Sequence, residues 1–349
     1  MGASLENKKR LGWLDFGKAM GILVVLLVHA ECRLGPVTYY GGMFYMPVFF
    51  VSAGYTYRYR PEAGFGIFVK KKAKRLLIPY AGASIFLWFF FWVKDCVLAG
   101  YPLELKVHSL KGILYSRNQM YAPGYAGENP VLLDVLNAPL WFLTAMFLTY
   151  LWYDLACRSG KKYLTLAAGL ILTVVWHYVT DLLLPWSLDA VPYFACFMAA
   201  GEFFRDKDAV TRLLEKWYRI FLIFVIFAGL AYWNGSVNLS CGSYGKSMMV
   251  YLVIGSLGAL LVFAAGASLE NMGAPILRAA GWIGQETMTI LCFHMFLFMF
   301  IKTAANVVGL GAGLTKAGLV IGSLAGSAFA KMVWRYIRKR VMDLCGSIM

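Results

Sequence analysis

The chain has 349 residues, 60% of them hydrophobic and 15% charged, with a formal net charge of +15. That balance excludes both an ordinary soluble domain and a disordered segment, which carry far more polar residues. Nucleic acid is not an expected partner either, because the Lys and Arg cluster between apolar runs, where they act as an orientation signal for a bilayer protein.

Apolar runs of about 18 residues or more recur along the chain and predict an all-α polytopic membrane fold, a bundle of about ten transmembrane helices. In order they cover 11–33, 40–57, 77–98, 139–157, 163–183, 189–204, 219–234, 248–268, 283–304 and 315–334, within a single domain over 1–349. The first run is too long for a signal peptide and lacks a small-residue cleavage site, so it is expected to be retained.

Span 1 carries the first chemistry. Lys18 and His29 are eleven residues apart, about three helical turns, which puts them on one face some 16 Å apart. Asp15 falls about 40° to the side of His29, so three polar groups share one stripe of an apolar helix. Ionisable groups in such a helix are costly and by default mark function. Glu31 falls about 200° from His29, which excludes it as an orienter unless the helix ends there.

Five segments hold most of the cations. They are Lys8 to Arg10; Arg58, Arg60, Lys70, Lys71, Lys72, Lys74 and Arg75; Arg158, Lys161 and Lys162; Arg205, Lys207, Arg212, Lys216 and Arg219; and Lys331, Arg335, Arg338, Lys339 and Arg340. With alternating spans all five fall on one side, so the positive-inside rule predicts cytoplasmic N- and C-termini. The longest connection, 99–138, then lies outside. Its Tyr101, Tyr115, Tyr121, Tyr125, Pro123, Gly124, Glu104, Glu128 and Asp134 suit a lid or sugar-binding rim as well as a passive connector.

The seven cysteines form no CxxC pair, which argues against both a disulfide framework and a metal site. Gly245-Lys246-Ser247 lacks the upstream glycine of a phosphate-binding loop. Among the histidines, His108 lies in the outer loop, and His177 has no polar companion at helical spacing; both read as structural. His294 differs, because Thr287 lies seven residues earlier and within about 20° of the same face. His29 and His294 together with Lys18, Asp15 and Arg75 point to a site.

Ordered motifs then give a resemblance. Lys18 stands within Leu14-Asp-Phe-Gly-Lys-Ala-Met-Gly21, three turns before His29. Met46-Pro-Val-Phe-Phe-Val-Ser-Ala-Gly-Tyr55, Lys74-Arg-Leu-Leu-Ile-Pro-Tyr80, Leu140-Trp-Phe-Leu143 and Gly284 to His294 follow. The chain resembles the acyltransferase-3 family of bacterial integral-membrane O-acyltransferases, in its sugar O-acetylase-like branch. One position departs from the family pattern: Ala53 stands where a serine precedes Gly-aromatic, and Ser52 is about 100° away.

The resemblance implies transfer of an acyl group, most simply acetyl, from acyl-CoA to a hydroxyl of a cell-envelope carbohydrate or lipid-linked sugar. It implies a multi-pass protein of the bacterial plasma membrane, with acetyl-CoA or another acyl-CoA as donor substrate and no permanently bound cofactor. A homo-oligomer stays open. His29 is the expected general base or acyl relay, since imidazole titrates near neutrality. His294 would polarise the acyl carbonyl, orient His29 or relay the acyl group. Lys18, Lys74 and Arg75 are candidate partners for the donor phosphates, with Asp15, Tyr55, Trp141 and Thr287 in support. The alternatives for the cations are that Lys18 pairs with Asp15 or snorkels, and that the 70–75 cluster only sets topology. A transporter or flippase for a glycolipid or small acid is the competing class, because intramembrane Lys, Asp and His also suit proton coupling.

Overall fold

The structure, a computed structural model, describes residues 10–130, 132 and 138–346, without the side chains of 104–106, 108, 334–335 and 337–346. Lys8, Lys9 and Asp134, and the side chains of Glu104, His108, Arg335, Arg338, Lys339 and Arg340, therefore lie outside the described residues.

Apolar composition is realised as helix throughout, because a backbone in lipid must satisfy its own hydrogen bonds. The α-helices are α1 (Gly12–His29), α2 (Pro36–Phe44), α3 (Pro47–Thr56), α4 (Phe65–Phe91), α5 (Glu104–Tyr115), α6 (Trp141–Arg158) and α7 (Lys162–Val179). They continue as α8 (Val191–Asp206), α9 (Ala209–Leu214), α10 (Trp217–Asn234), α11 (Met248–Asn271), α12 (Ile276–Gln285), α13 (Thr287–Val308) and α14 (Ala312–Gly346). Eight helical stretches among the described residues are long and apolar enough to cross a bilayer.

The two remaining predicted spans are helical but short, and both are interior. The expected span at 40–57 is the pair α2 and α3, interrupted before Pro47, which occupies the first turn of α3 as Pro36 does in α2. The expected span at 189–204 is the 16-residue α8. These elements cross in close contact: a Cβ on Gly54 would lie 1.9 Å from the Met198 carbonyl oxygen, and one on Gly201 2.0 Å from that of Val51. Small residues let helix backbones approach in this way. Most of α3 and of α8 is buried, whereas α7 and α10 turn wide apolar faces outward.

The 70–75 cations also differ from expectation. They do not fill a loop; α4 begins at Phe65, so they occupy its first turns. Lys and Arg are good helix formers, and the apolar run at 77 marked only where that helix becomes hydrophobic.

Cross-links fix which helix ends lie together. Arg205 donates to the carbonyls of Gly54, Tyr55 and Tyr57 at the end of α3. Arg158 donates to Ala63 O, Lys162 pairs with Glu202, Glu270 accepts from the Trp13 amide, and Lys331 pairs with Glu286. These contacts define a basic end of the bundle. At the opposite end Lys316 donates to Glu31 O, Tyr39 to Ala231 O and Tyr115 to Leu183 O.

The described part of the long connection, 99–130 with 132 and 138, is built rather than open. It contains α5, and Arg117, fully buried, donates to Ser187 Oγ and Asp189. Burial pushes the Asp189 carboxyl above its ordinary value against the pull of Arg117. Ser116 and Thr144 share a 2.8 Å hydrogen bond, and the rings of Tyr121 and Tyr125 stack at 3.9 Å.

Candidate functional site

The two singled-out histidines meet. His29 Nδ1 lies 2.8 Å from His294 Nε2, with the rings 13° from parallel. α1 ends at His29, and Glu31 takes up φ +54° just beyond. The helix end that would have readmitted Glu31 is therefore present, yet the group beside His29 is His294.

The partners of His294 fix the tautomers. Its Nδ1 lies 2.9 Å from Ile290 O and 3.1 Å from Leu291 O, which can only accept. In the neutral pair Nδ1 of His294 must carry the proton, leaving Nε2 as an acceptor. His29 Nδ1–H then donates to it, and Nε2 of His29 is the nitrogen with a free lone pair. Both nitrogens of neutral His294 are thus engaged, so it has no N–H left to polarise a carbonyl. Of its three expected roles, this arrangement suits orientation of His29.

His29 borders a cavity of about 440 Å³. The cavity is walled by Tyr45, Trp141, Val25, Leu291 and Met295, and by Asn118, Asn238 and Ser240 from the connections. Asn118 Oδ1 is buried without a hydrogen-bond partner, so the wall includes an unsatisfied acceptor. Its place beside the cavity could not be seen in the sequence, because loop residues carry no periodicity to read.

A second cavity, of about 180 Å³, lies toward the basic end. Lys18, Arg75 and Thr287 line it, with Ser52, Ala53, Thr56 and Tyr150. Lys18 is ion-paired with Asp15 at 2.5 Å, and Arg10 also pairs with Asp15. The pairing alternative and the cavity position therefore both hold for Lys18. Arg75 has no carboxylate partner among the described residues and is the less compensated cation. Ser52 Oγ is buried and unpartnered, so the serine one place from the family position still borders the cavity, as does Ala53.

One expected donor-binding residue and one supporting residue fall elsewhere. Lys74 is exposed and is not part of either wall, because it sits about 100° around α4 from Arg75. Tyr55 packs edge-on against Trp13 at 5.0 Å, which makes it a packing residue between α3 and α1. Lys72 lies nearer the cavity than Lys74: its Nζ is 3.2 Å from the centroid of Tyr150, a wall residue. The signal was available, since Lys72 precedes Arg75 by three residues and shares its face.

The remaining histidine with a described side chain, His177, packs edge-on against Tyr244 at 5.0 Å. No group of three His, Cys, Asp or Glu side chains suited to a metal occurs among the described residues.

Gly284 explains the closing motif. A Cβ there would lie 2.0 Å from Asp15 O, so glycine lets the α12–α13 corner rest on α1. That contact sets Thr287 beside the basic-end cavity and, two turns later, His294 against His29.

A family model described as an acyltransferase domain, Acyl_transf_3, matches residues 11–332. Neither the curated proteins nor the solved structures contain a match to the chain.

Proposed function

The chain belongs to the acyltransferase-3 family, and from that premise we propose that it is a membrane O-acyltransferase in which His29 acts as general base. The observation that carries this reading is the His29–His294 pair bordering one cavity, with a cationic cavity next to it toward the basic end.

The donor is an acyl-CoA, most simply acetyl-CoA, approaching from the basic end, which faces the cytoplasm by the positive-inside rule. Arg75 and Lys18 meet its phosphates, with Asp15 holding Lys18 in place. The uncharged arm extends toward His29, where the thioester is presented. Ser52 Oγ is free to hydrogen-bond an amide of that arm.

The acceptor occupies the larger cavity. Tyr45 and Trp141 offer aromatic surface, and Asn118, Asn238 and Ser240 offer polar edges, a mixture that suits a polyhydroxylated ring. We assign it to an envelope carbohydrate or lipid-linked sugar of a bacterial plasma membrane. His29 Nε2 removes the proton of an acceptor hydroxyl as its oxygen attacks the thioester carbonyl. The imidazolium so formed is steadied through Nδ1–H by His294 and returns the proton to the departing CoA sulfur. No permanently bound cofactor enters the scheme.

Purified protein in detergent, given acetyl-CoA and a simple sugar alcohol, should release CoA, and His29→Ala should lower that rate by about 10²-fold or more. Full activity in folded His29→Ala protein would remove the mechanism.

A further inference from the structure

The two cavities share three wall residues: Val25 of α1, Met46 at the α2–α3 break, and Leu291 of α13. Resting on the function proposed above, we infer that these side chains form a width filter that decides which acyl groups reach His29.

All three are apolar and nearly buried, at 2%, 5% and 8% exposure. The cations that suit the donor's charged part line one cavity, and His29 lines the other. These three side chains stand where the two cavities adjoin, so on this reading an acyl group carried from one to the other leads its thioester between them. Nothing polar is contributed by the three side chains, so a phosphate passing between them would lose its solvation without compensation. A neutral chain meets no such penalty.

The filter acts on cross-section rather than length. A straight acyl chain presents the same methylene width however long it is, whereas branching next to the carbonyl presents a wider front. Met46 is the adjustable member. Its side chain is unbranched with three rotatable bonds, and it stands between two helices, where the chain breaks before Pro47. Val25 and Leu291 lie within continuous α-helix and form the fixed side.

Butyryl-CoA and isobutyryl-CoA have the same atoms and differ only in width near the carbonyl, so they are the probes. CoA release by the purified protein should favour butyryl, and Met46→Ala should raise the isobutyryl-to-butyryl ratio of kcat/KM by about tenfold. The butyryl-to-acetyl ratio should change much less. Val25→Ala widens the same passage and provides a second reading if Met46→Ala elutes as aggregate. An unchanged isobutyryl-to-butyryl ratio in folded variants overturns the filter while leaving the acyltransferase reading intact, provided the parent protein shows His29-dependent release. Absence of release from every thioester by the parent protein overturns both.

Discussion

At the scale of single residues, the central feature is a hydrogen-bond chain that assigns protons. Two backbone carbonyls hold the proton on His294 Nδ1, His294 Nε2 accepts from His29, and His29 Nε2 is left basic. A side-chain amide oxygen can replace the acceptor, but a methyl group cannot. His294→Gln is therefore expected to keep a substantial part of the CoA-release rate, and His294→Ala to lose about 10²-fold or more through the wrong tautomer and a freely turning ring. Equal losses in the two variants would count against an orienting role. The histidines were legible because polar groups in an apolar run stand out. Their direct contact was not, since it joins residues 265 positions apart and depends on how α13 rests on α1. Asp15 shows the same limit in part: its place on the stripe and a pairing with Lys18 could be read from spacing, but the second pairing, with Arg10, needed the side-chain geometry.

Among the elements, the α3–α8 crossing sets the frame of the site. Ser52, Ala53 and Thr56 border the basic-end cavity only because α3 is pinned against α8 through Gly54 and Gly201. A methyl group at either glycine would meet a backbone carbonyl that cannot move aside, so Gly54→Ala or Gly201→Ala should abolish a monodisperse folded fraction on size exclusion. Gly229 in α10 has open space around its Cβ position. Gly229→Ala should be tolerated, or should stabilise by a few tenths to about 1 kcal/mol by helix propensity. A folded Gly54→Ala protein with unchanged thermal stability would contradict the close crossing. Hydropathy found both elements, gave α8 its length, and missed the break that divides 40–57 into α2 and α3. Protein-enclosed helices need not match the bilayer, so α3 and α8 are free to be short; α8 keeps the 16 residues of its predicted span with a two-residue offset, and the real departure is α3, cut to 10 residues by the break before Pro47. The outer connection was the least legible. Within its described part Arg117 bridges to Ser187 and Asp189, about 70 residues away, which leaves no local pattern.

Over the whole molecule, the architecture separates the cations from the histidine pair. Cations gather at one end of the bundle, the histidine pair faces the larger cavity, and three apolar side chains stand between the two compartments. The alternation of basic segments along the sequence predicted the gathering of cations. The division into two cavities emerged only from packing, because Val25, Met46 and Leu291 look like any other apolar residues in their runs. The arrangement gives the proposed reaction a direction: the donor would be held from the basic end and the acyl group delivered to the cavity that His29 borders. Proteoliposomes with acetyl-CoA sealed on the side of the basic end test this most directly, by assaying where free CoA and acetyl products accumulate. The account predicts CoA on the donor side and acetylated acceptor or acetate on the other, both lost in His29→Ala. Both products on the donor side, or intact acetyl-CoA on the far side, would contradict it.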